Sequence, residues 1–299
     1  MKILLPVISY HYLTGAELYV YELARELIRR GHDVTVAAMR VGGALAEPSR
    51  QAGIRSCVFG DPMAAGIFDV IHASEPIPTN WALTAHRFDP IICTIHSQYP
   101  CEAPVIDPRI LHYICIRPEV QRKLISQDRI PAAKTSVIYN PVDFQRFRPA
   151  PPVEPHAGKR VLFCGTMDLL RRQTIMELMR QAERGMFELW LLGLKADNYA
   201  AAGGYINTLP PNVKWFDQDW NTERYINECD ETAGILLGRT TIEGWACGKP
   251  GWIYDIDLQG NIRSRALHQP PADMTPFDSV KVTDQIEALY HRYAYKRAA

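Results

Sequence analysis

Two short segments place hydroxyl and carboxylate side chains where a helix would begin after a strand. Thr14-Gly15-Ala16-Glu17 and Thr240-Thr241-Ile242-Glu243 both show a Thr followed three residues later by Glu, the capping-box pattern, ahead of apolar positions. The first amides of a helix have no partner within it, and together with the helix dipole they favour an anion. Each segment is therefore a candidate phosphate-binding helix start, or alternatively a helix whose Glu only caps its own first turn.

The neighbours of the second segment favour the binding interpretation. Arg239 precedes it in a strand-to-helix loop, where a guanidinium can hold a diphosphate through two parallel hydrogen bonds. Gly238 and Gly244 would let the backbone approach a ligand closely. The segment 244–250 is not a Walker motif, because three residues separate its glycines and a Pro follows its Lys. The residues predicted to bind phosphate or nucleotide here are Arg239, Thr240, Thr241 and Glu243.

The elements around these segments alternate between strands and helices. Residues 2–8 form an apolar run, residues 16–28 carry apolar side chains at three- and four-residue spacing, and residues 33–38 form a second apolar run. Strand, helix and strand within about forty residues make a βαβ unit, which requires a parallel sheet. Further strands are predicted at 68–73, 89–96, 111–116, 135–143, 159–165, 187–193, 213–216, 233–238 and 251–255, and further helices at 118–127, 173–184, 241–248 and 282–297.

The composition changes near residue 150. Four prolines crowd one polar segment that cannot continue a helix or a central strand, which predicts a linker. They are Pro149, Pro151, Pro152 and Pro155. Because the alternation restarts after them, the predicted fold class is α/β with two Rossmann-like lobes. The predicted boundaries are 1–148, 149–283 and a C-terminal helix at 284–299 that could pack back toward the first domain.

Composition and charge exclude several broad classes. Lys plus Arg and Asp plus Glu both number 33, so the formal net charge is zero and gives no global reason to expect nucleic acid or an anionic membrane as a partner. No apolar stretch approaches the ~18–20 residues of a membrane span. The seven Cys include no C-x-x-C pair, so we expect buried free thiols, no metal site and a cytoplasmic location.

Four segments, taken in order, resemble the family 4 glycosyltransferases. They are spread over most of the chain, at Thr14–Val36, Val137–Pro149, Val161–Gly165 and Glu243–Pro250. The resemblance implies a GT-B fold, with the acceptor bound mainly by the N-terminal lobe and the nucleotide sugar mainly by the C-terminal lobe, across a cleft. It also implies a metal-independent reaction that retains the anomeric configuration, with a UDP-sugar as the default donor and no other cofactor.

The resemblance further implies roles for individual residues. Glu243 matches the carboxylate that hydrogen-bonds the ribose hydroxyls of the nucleotide, and Arg171 falls where the family places a basic residue against the diphosphate. Gly15 matches the glycine loop that faces the phosphates, and His96 matches a histidine near the donor sugar. The predicted catalytic residues are therefore His96, Arg171 and Glu243.

Two further loops are weaker candidates. Gln259 and Gly260 follow the strand at 251–255, and their backbone amides could reach a sugar or a phosphate, although a simple turn explains them nearly as well. The aromatic segment 9–12 is predicted to contact the acceptor. Arg172 is expected to be a solvated neighbour of Arg171.

Two positions depart from the family pattern and leave alternatives open. Ile235 stands eight residues before Glu243, where the family usually has a Glu that touches the donor sugar, and Thr166 stands where it has an Arg. The first hypothesis is a hexosyl-transferring enzyme that acts on an unidentified saccharide, lipid, protein or modified base. The alternatives are a nucleotide-sugar epimerase of the same fold and a catalytically silent nucleotide-binding partner subunit. The oligomeric state is left open.

Overall fold

A seven-stranded sheet forms the centre of the first unit in the computed structural model, which describes residues 1–153, 156–193, 206 and 209–294. Its strands are β1 (Lys2–Tyr10), β2 (Asp33–Val41), β3 (Arg55–Val58), β4 (Val70–Ser74), β5 (Ile91–Ile95), β6 (Ile110–Cys115) and β7 (Thr135–Val137). They lie in the order β3-β2-β1-β4-β5-β6-β7, and all neighbours are parallel. The crossover helices are α1 (Gly15–Arg29), α2 (Ala46–Gln51), α3 (Pro76–Ala85) and α4 (Pro118–Ser126).

The second unit is built on a six-stranded sheet within the part of the chain that the structure describes. Its strands are β8 (Arg160–Cys164), β9 (Glu188–Leu192), β10 (Val213–Phe216), β11 (Glu231–Ile235), β12 (Gly251–Ile256) and β13 (Ile262–His268). The order is β10-β9-β8-β11-β12-β13, and β13 alone in this sheet pairs antiparallel to its neighbour. The helices are α5 (Arg172–Glu183), α6 (Thr222–Asn227) and α7 (Arg239–Ala246).

By its contacts the chain divides at two places. The first unit is Met1–Pro141 with the C-terminal segment that begins at Thr275, and the second unit is Val142–Met274. The C-terminal helix α8 (Ser279–Tyr293) packs on α1, where Arg30 Nη1 donates to Glu287 at 2.7 Å. The last helix therefore belongs to the first unit's core. Residues 295–299 of the predicted helix lie outside the described residues.

In each sheet the strand order reverses once, beside the first strand of the unit. The chain leaves β1 toward β2 but leaves β4 toward β5, and it leaves β8 toward β9 but leaves β11 toward β12. Diverging crossovers open a crevice at the carboxyl ends of the two central strands, which is where ligands of open parallel sheets bind. The two switch points are therefore β1/β4 and β8/β11.

Helix α1 begins with the predicted capping box. Thr14 is its N-cap residue, and both its amide and its hydroxyl donate to Glu17 Oε2, at 3.1 and 2.6 Å. One face of the helix is buried on the sheet, which is what the three- and four-residue spacing predicts. The helix ends ahead of Gly31, whose φ of +84° suits a glycine and stops the helical turn.

The capping box predicted at Thr240 and Glu243 was wrong. Helix α7 starts two residues earlier than predicted, at Arg239, with Gly238 as N-cap and no side-chain cap. The reason is that Glu243 forms an ion pair with Arg239 four residues before it, so its carboxylate does not turn back to the helix start. The sequence pattern alone cannot distinguish these two partners.

The proline-rich segment, predicted to be a linker, packs along the second unit as far as the structure describes it. The amide of Ala150 donates to Asn227 Oδ1 at 3.0 Å, and that of Val153 donates to Glu228 Oε1 at 2.6 Å. Pro155 lies outside the described residues.

Two strands, β3 and β13, were not predicted, and the strand predicted at 135–143 ends at Val137.

Gly244 is explained by packing of α7 on β11. A Cβ on this residue would lie 2.7 Å from both Oγ1 and Cγ2 of Thr232, a buried β-branched side chain. Thr232 has a stiff χ1 and cannot move aside easily. The absent side chain thus lets the helix approach the strand closely.

We expect Gly244→Ala to lower the free energy of unfolding by about 1–3 kcal/mol, because the added methyl overpacks the interior. The urea-unfolding midpoint measures this change. Adding Thr232→Ala should recover part of the loss by removing the two clashing atoms. The matched control is Gly15→Ala, where an added Cβ meets no atom within 4 Å. Equal midpoints for Gly244→Ala and the natural chain would contradict the packing explanation.

Candidate functional site

The second unit's switch point is tied together across its two central strands. The hydroxyl of Thr240, in the first turn of α7, donates to the carbonyl oxygen of Cys164 at the end of β8, at 2.9 Å. This bond holds the start of α7 beside the loop that follows β8. The positive end of the helix dipole is thereby held at the edge of the sheet where this loop lies, an arrangement that favours an anionic ligand.

Arg239 and Glu243 form a buried ion pair in the first turn of α7. Arg239 Nε donates to Glu243 Oε1 at 2.5 Å, and the two residues are only 8% and 3% exposed. Burial, and then the negative charge of Glu243, raises the pKa of the Cys164 thiol to about 12, whereas the charge of Arg239 lowers it. Arg239 was predicted to bind a diphosphate, but much of the positive charge of its guanidinium is balanced by Glu243.

Arg171 lies at the other side of this switch point, as the N-cap residue of α5. Its guanidinium pairs with Asp168, and its amide donates to Asp168 Oδ1 at 3.0 Å. Thr166 Oγ1 also donates to Asp168, at 2.7 Å. The Arg171 side chain is 28% exposed, so this guanidinium reaches solvent, in contrast to Arg239.

Asp168 organises this loop and was missed by sequence reasoning. It accepts hydrogen bonds from the residue at the family's usual Arg position, Thr166, and from Arg171. The signal was an Asp five residues before the predicted helix start at 173, since an Asp side chain often accepts the amide hydrogen of a residue two or three positions farther along the chain. The consequence is that the hydroxyl of Thr166 positions a carboxylate instead of adding a second cation.

Thr241 and the Gln259–Gly260 turn are explained by packing. Thr241 is 1% exposed and lies against Gly234 and Gly251 of the sheet. The amide of Gln259 donates to Asp257 Oδ1 at 2.9 Å, and that of Gly260 donates to Asp257 O at 3.0 Å. Both amides that were predicted to reach a sugar or phosphate are therefore engaged inside the turn. A Cβ at Gly260 would lie 2.5 Å from the carbonyl oxygen of Leu170, which accounts for the glycine.

Two predicted site residues belong to the first unit. Gly15 is the first residue of α1, at the end of the loop after β1, and faces open space. His96 directly follows β5, as predicted, and its ring packs edge-on against Tyr19 at 5.0 Å between centroids. Burial lowers the pKa of His96 to about 4, with Glu102 opposing and Arg117 adding to this effect. His96 is therefore a neutral imidazole near pH 7.

The aromatic loop predicted to contact an acceptor is largely used for packing. Tyr10 is 1% exposed, and its hydroxyl accepts a hydrogen bond from Ser49 at 2.9 Å. Tyr12 accepts from Arg40 Nη1 at 2.7 Å. Among the residues that the structure describes, no helix is long and apolar enough to cross a membrane, and no three His, Cys, Asp or Glu side chains are grouped to hold a metal ion.

Comparison with known proteins identifies the fold. The model of the family described as Glycosyltransferase Family 4 matches residues 13–146. HepE from Anabaena, solved in complex with UDP-glucose, superimposes with a TM-score of 0.72 at 17% identity, over 98% of this chain and 100% of its own. A glycosyltransferase from Rickettsia africae gives 0.63 at 15% identity, over 98% and 94% of the two chains.

A third similar structure has a different activity. The UDP-GlcNAc 2-epimerase from Neisseria meningitidis, bound to UDP-GlcNAc, gives a TM-score of 0.56 at 11% identity, over 99% of this chain and 95% of its own. No protein with a curated description matches the chain significantly. At identities this low, the structural similarity establishes the fold alone. This fold is the predicted GT-B architecture of two α/β lobes.

The ion pair of α7 predicts coupled stability effects. Arg239→Ala and Glu243→Ala should each lower the free energy of unfolding by about 3–5 kcal/mol, because each leaves an uncompensated buried charge. The double variant should lose at least about 1 kcal/mol less than the sum of the two. Urea denaturation of the three variants measures the coupling. Additive losses would show that the two side chains do not depend on each other.

Proposed function

We propose that this chain, whose residues 13–146 match the model of Glycosyltransferase Family 4 and whose fold is GT-B, transfers a sugar from a nucleotide-sugar donor to an acceptor hydroxyl. The observation that carries the proposal is the second unit's switch point. There a helix start, a partly exposed arginine and a buried carboxylate lie at the carboxyl ends of β8 and β11. This combination of groups suits a nucleoside diphosphate.

In this proposal the two arginines have different tasks. Arg171 is partly exposed and binds the diphosphate, exchanging some of its contact with Asp168 for phosphate oxygens. Arg239 is buried and acts as a positioning residue, since its bond to Glu243 fixes the carboxylate that the family resemblance assigns to the ribose hydroxyls. Thr240 keeps the first turn of α7 against β8.

The preferred donor nucleotide is uridine diphosphate. HepE was solved with UDP and with UDP-glucose, and the epimerase with UDP-GlcNAc, so two proteins of this fold bind uridine nucleotides. The donor sugar is left open, because Ile235 ends β11 where the family usually has a Glu that touches this sugar. A hexose is the default by resemblance.

The difficult chemical step is departure of the nucleotide diphosphate from the anomeric carbon. Fixed positive groups at the departing oxygens stabilise the charge that develops there, and the guanidinium of Arg171 and the α7 dipole supply them without a metal ion. The ring of His96, in the first unit, is neutral and can hydrogen-bond a sugar hydroxyl of the acceptor without carrying charge. Retention of the anomeric configuration is proposed from the resemblance alone.

A same-fold epimerase is the second candidate, favoured by one observation. The Neisseria meningitidis epimerase shares the fold over 95% of its length. An epimerase would interconvert two nucleotide sugars without releasing the nucleotide as a transfer product. The protein is incubated with UDP-glucose and with UDP-GlcNAc, and all products are quantified. Released nucleotide indicates the transferase, and a second nucleotide sugar without released nucleotide indicates the epimerase.

We expect Arg171→Ala to weaken UDP binding by about 10–100-fold, because a charge-assisted contact to the diphosphate is lost. Titration calorimetry with UDP and UDP-glucose measures this change. The matched control is Arg172→Ala, which removes the adjacent exposed guanidinium and should alter affinity by less than about 3-fold.

Three results would contradict this account. If both arginine variants bind UDP as the natural chain does, the donor site is misplaced. If no uridine nucleotide or nucleotide sugar binds, the proposed function fails. If nucleotide sugars bind tightly but no nucleotide is released with any acceptor, the chain is the silent partner subunit.

A further inference from the structure

The first unit's switch point carries a carboxylate that the donor site does not use. The register between β1 and β4 pairs Ile3 with Val70 and Leu4 with Ile71, and farther along the two strands separate. Glu75 directly follows β4, and its Oε2 accepts the amide hydrogen of Ile8 at 3.1 Å. The carboxylate therefore lies in the crevice between the diverging strands, and its residue remains partly exposed.

The backbone of Glu75 is in a conformation that normally belongs to glycine. Its φ is +73° and its ψ is 158°, a region that residues with a Cβ rarely adopt. A glycine would form the same turn into α3 without strain. Strained residues of this kind concentrate at ligand sites, which favours a role in ligand binding for the side chain of Glu75.

Three polar atoms at the ends of β1, β4 and β5 are buried without a hydrogen-bond partner among the described residues. They are Ser9 Oγ, Ser74 Oγ and His96 Nε2. Ser74 is 1% exposed, and its strand neighbour is Thr94, in the strand that His96 follows. Buried polar atoms are almost always paired, so three unpaired ones at the ends of adjacent strands indicate a site that a polar ligand completes.

The electrostatics of the crevice oppose an anion at Glu75. Burial raises the pKa of Glu75 to about 7, the amide of Ile8 lowers it, and the charges of Glu102 and Glu17 raise it further. Glu17 faces it from α1 and Glu102 from the turn after β5. At His96 the positive charge of Arg117 lowers the pKa of the ring, and the negative charge of Glu102 raises it.

Building on the proposed transferase activity, we propose that this crevice binds a neutral saccharide acceptor, with Glu75 accepting hydrogen bonds from two vicinal hydroxyls. The hydroxyls of Ser9 and Ser74 and the ring nitrogen of His96 complete the set of partners. A carboxylate that accepts from a diol rejects a phosphate or a second carboxylate by charge repulsion. Glu75 thus selects neutral sugars over phosphorylated and acidic ones.

A purely structural role for Glu75 makes a different prediction. If the side chain only satisfies the amide of Ile8, then Glu75→Gln keeps that function, because the amide oxygen of Gln accepts the same bond. The substitution removes the negative charge and one acceptor oxygen. It therefore affects saccharide binding but leaves the turn intact.

The experiment measures saccharide binding to the full chain by saturation-transfer NMR, with and without UDP. The neutral probes are the methyl glycosides of glucose, galactose and mannose, and the anionic probes are glucose 6-phosphate and glucuronic acid. We expect at least one neutral probe to bind the natural chain, and Glu75→Gln to weaken it by about 10-fold. The affinity for UDP should stay unchanged. The control Glu47→Gln removes an exposed carboxylate of the same unit that pairs with Arg50.

The pH dependence is a second readout that a structural role would not affect. Since only the ionised carboxylate accepts from both hydroxyls, binding of the neutral probe should strengthen between about pH 6 and pH 8 in the natural chain but not in Glu75→Gln.

Several results would overturn the proposal. These are equal saccharide affinity of the natural chain and Glu75→Gln, equal binding of anionic and neutral probes, and no binding of any neutral probe. Failure of the proposed transferase function can be told apart from failure of this saccharide site. In that case UDP does not bind, whatever the result with the saccharide probes.

Discussion

Parallel strand pairing constrains this protein more than any other interaction. A parallel ladder requires each strand to be followed by a crossover, so all strands of a sheet end at one edge and most crossover helices begin there. The two reversals of strand order then leave gaps beside β1 and β8. Main-chain groups in these gaps are satisfied by side chains, as Glu75 does for Ile8 and Thr240 does for Cys164. Both candidate sites follow from this geometry.

The two switch points handle charge in opposite ways. In the second unit, Arg171 pairs with Asp168 and Arg239 pairs with Glu243, so cations are held in place by carboxylates before any ligand arrives. Such preorganisation favours a diphosphate, because only Arg171 has to exchange part of its contact with a carboxylate when the ligand binds. In the first unit a carboxylate stands with unpaired hydroxyls and a neutral imidazole, a combination that favours a neutral polyol.

The sequence predicts the periodic elements well and the tertiary contacts poorly. Helix α1, with Thr14 and Glu17, was predictable because its capping and spacing are local signals. The cap at Thr240 was wrong because Arg239 competes for Glu243, and no local pattern ranks those partners. Glu75 was missed for a different reason, since its partner Ile8 is 67 residues away in the chain. The resemblance supplied Arg171 and His96, but not the Asp168 contact that positions Arg171.

The most direct test of the account is a hydrogen–deuterium exchange footprint of UDP on the full chain. Ligand contact slows exchange of the amides it covers. We expect UDP to protect residues 165–172 and 238–243, where the loop after β8 and the first turn of α7 meet. Binding of UDP with protection only in the first unit, or with none at the start of α7, would contradict the assignment of the donor site.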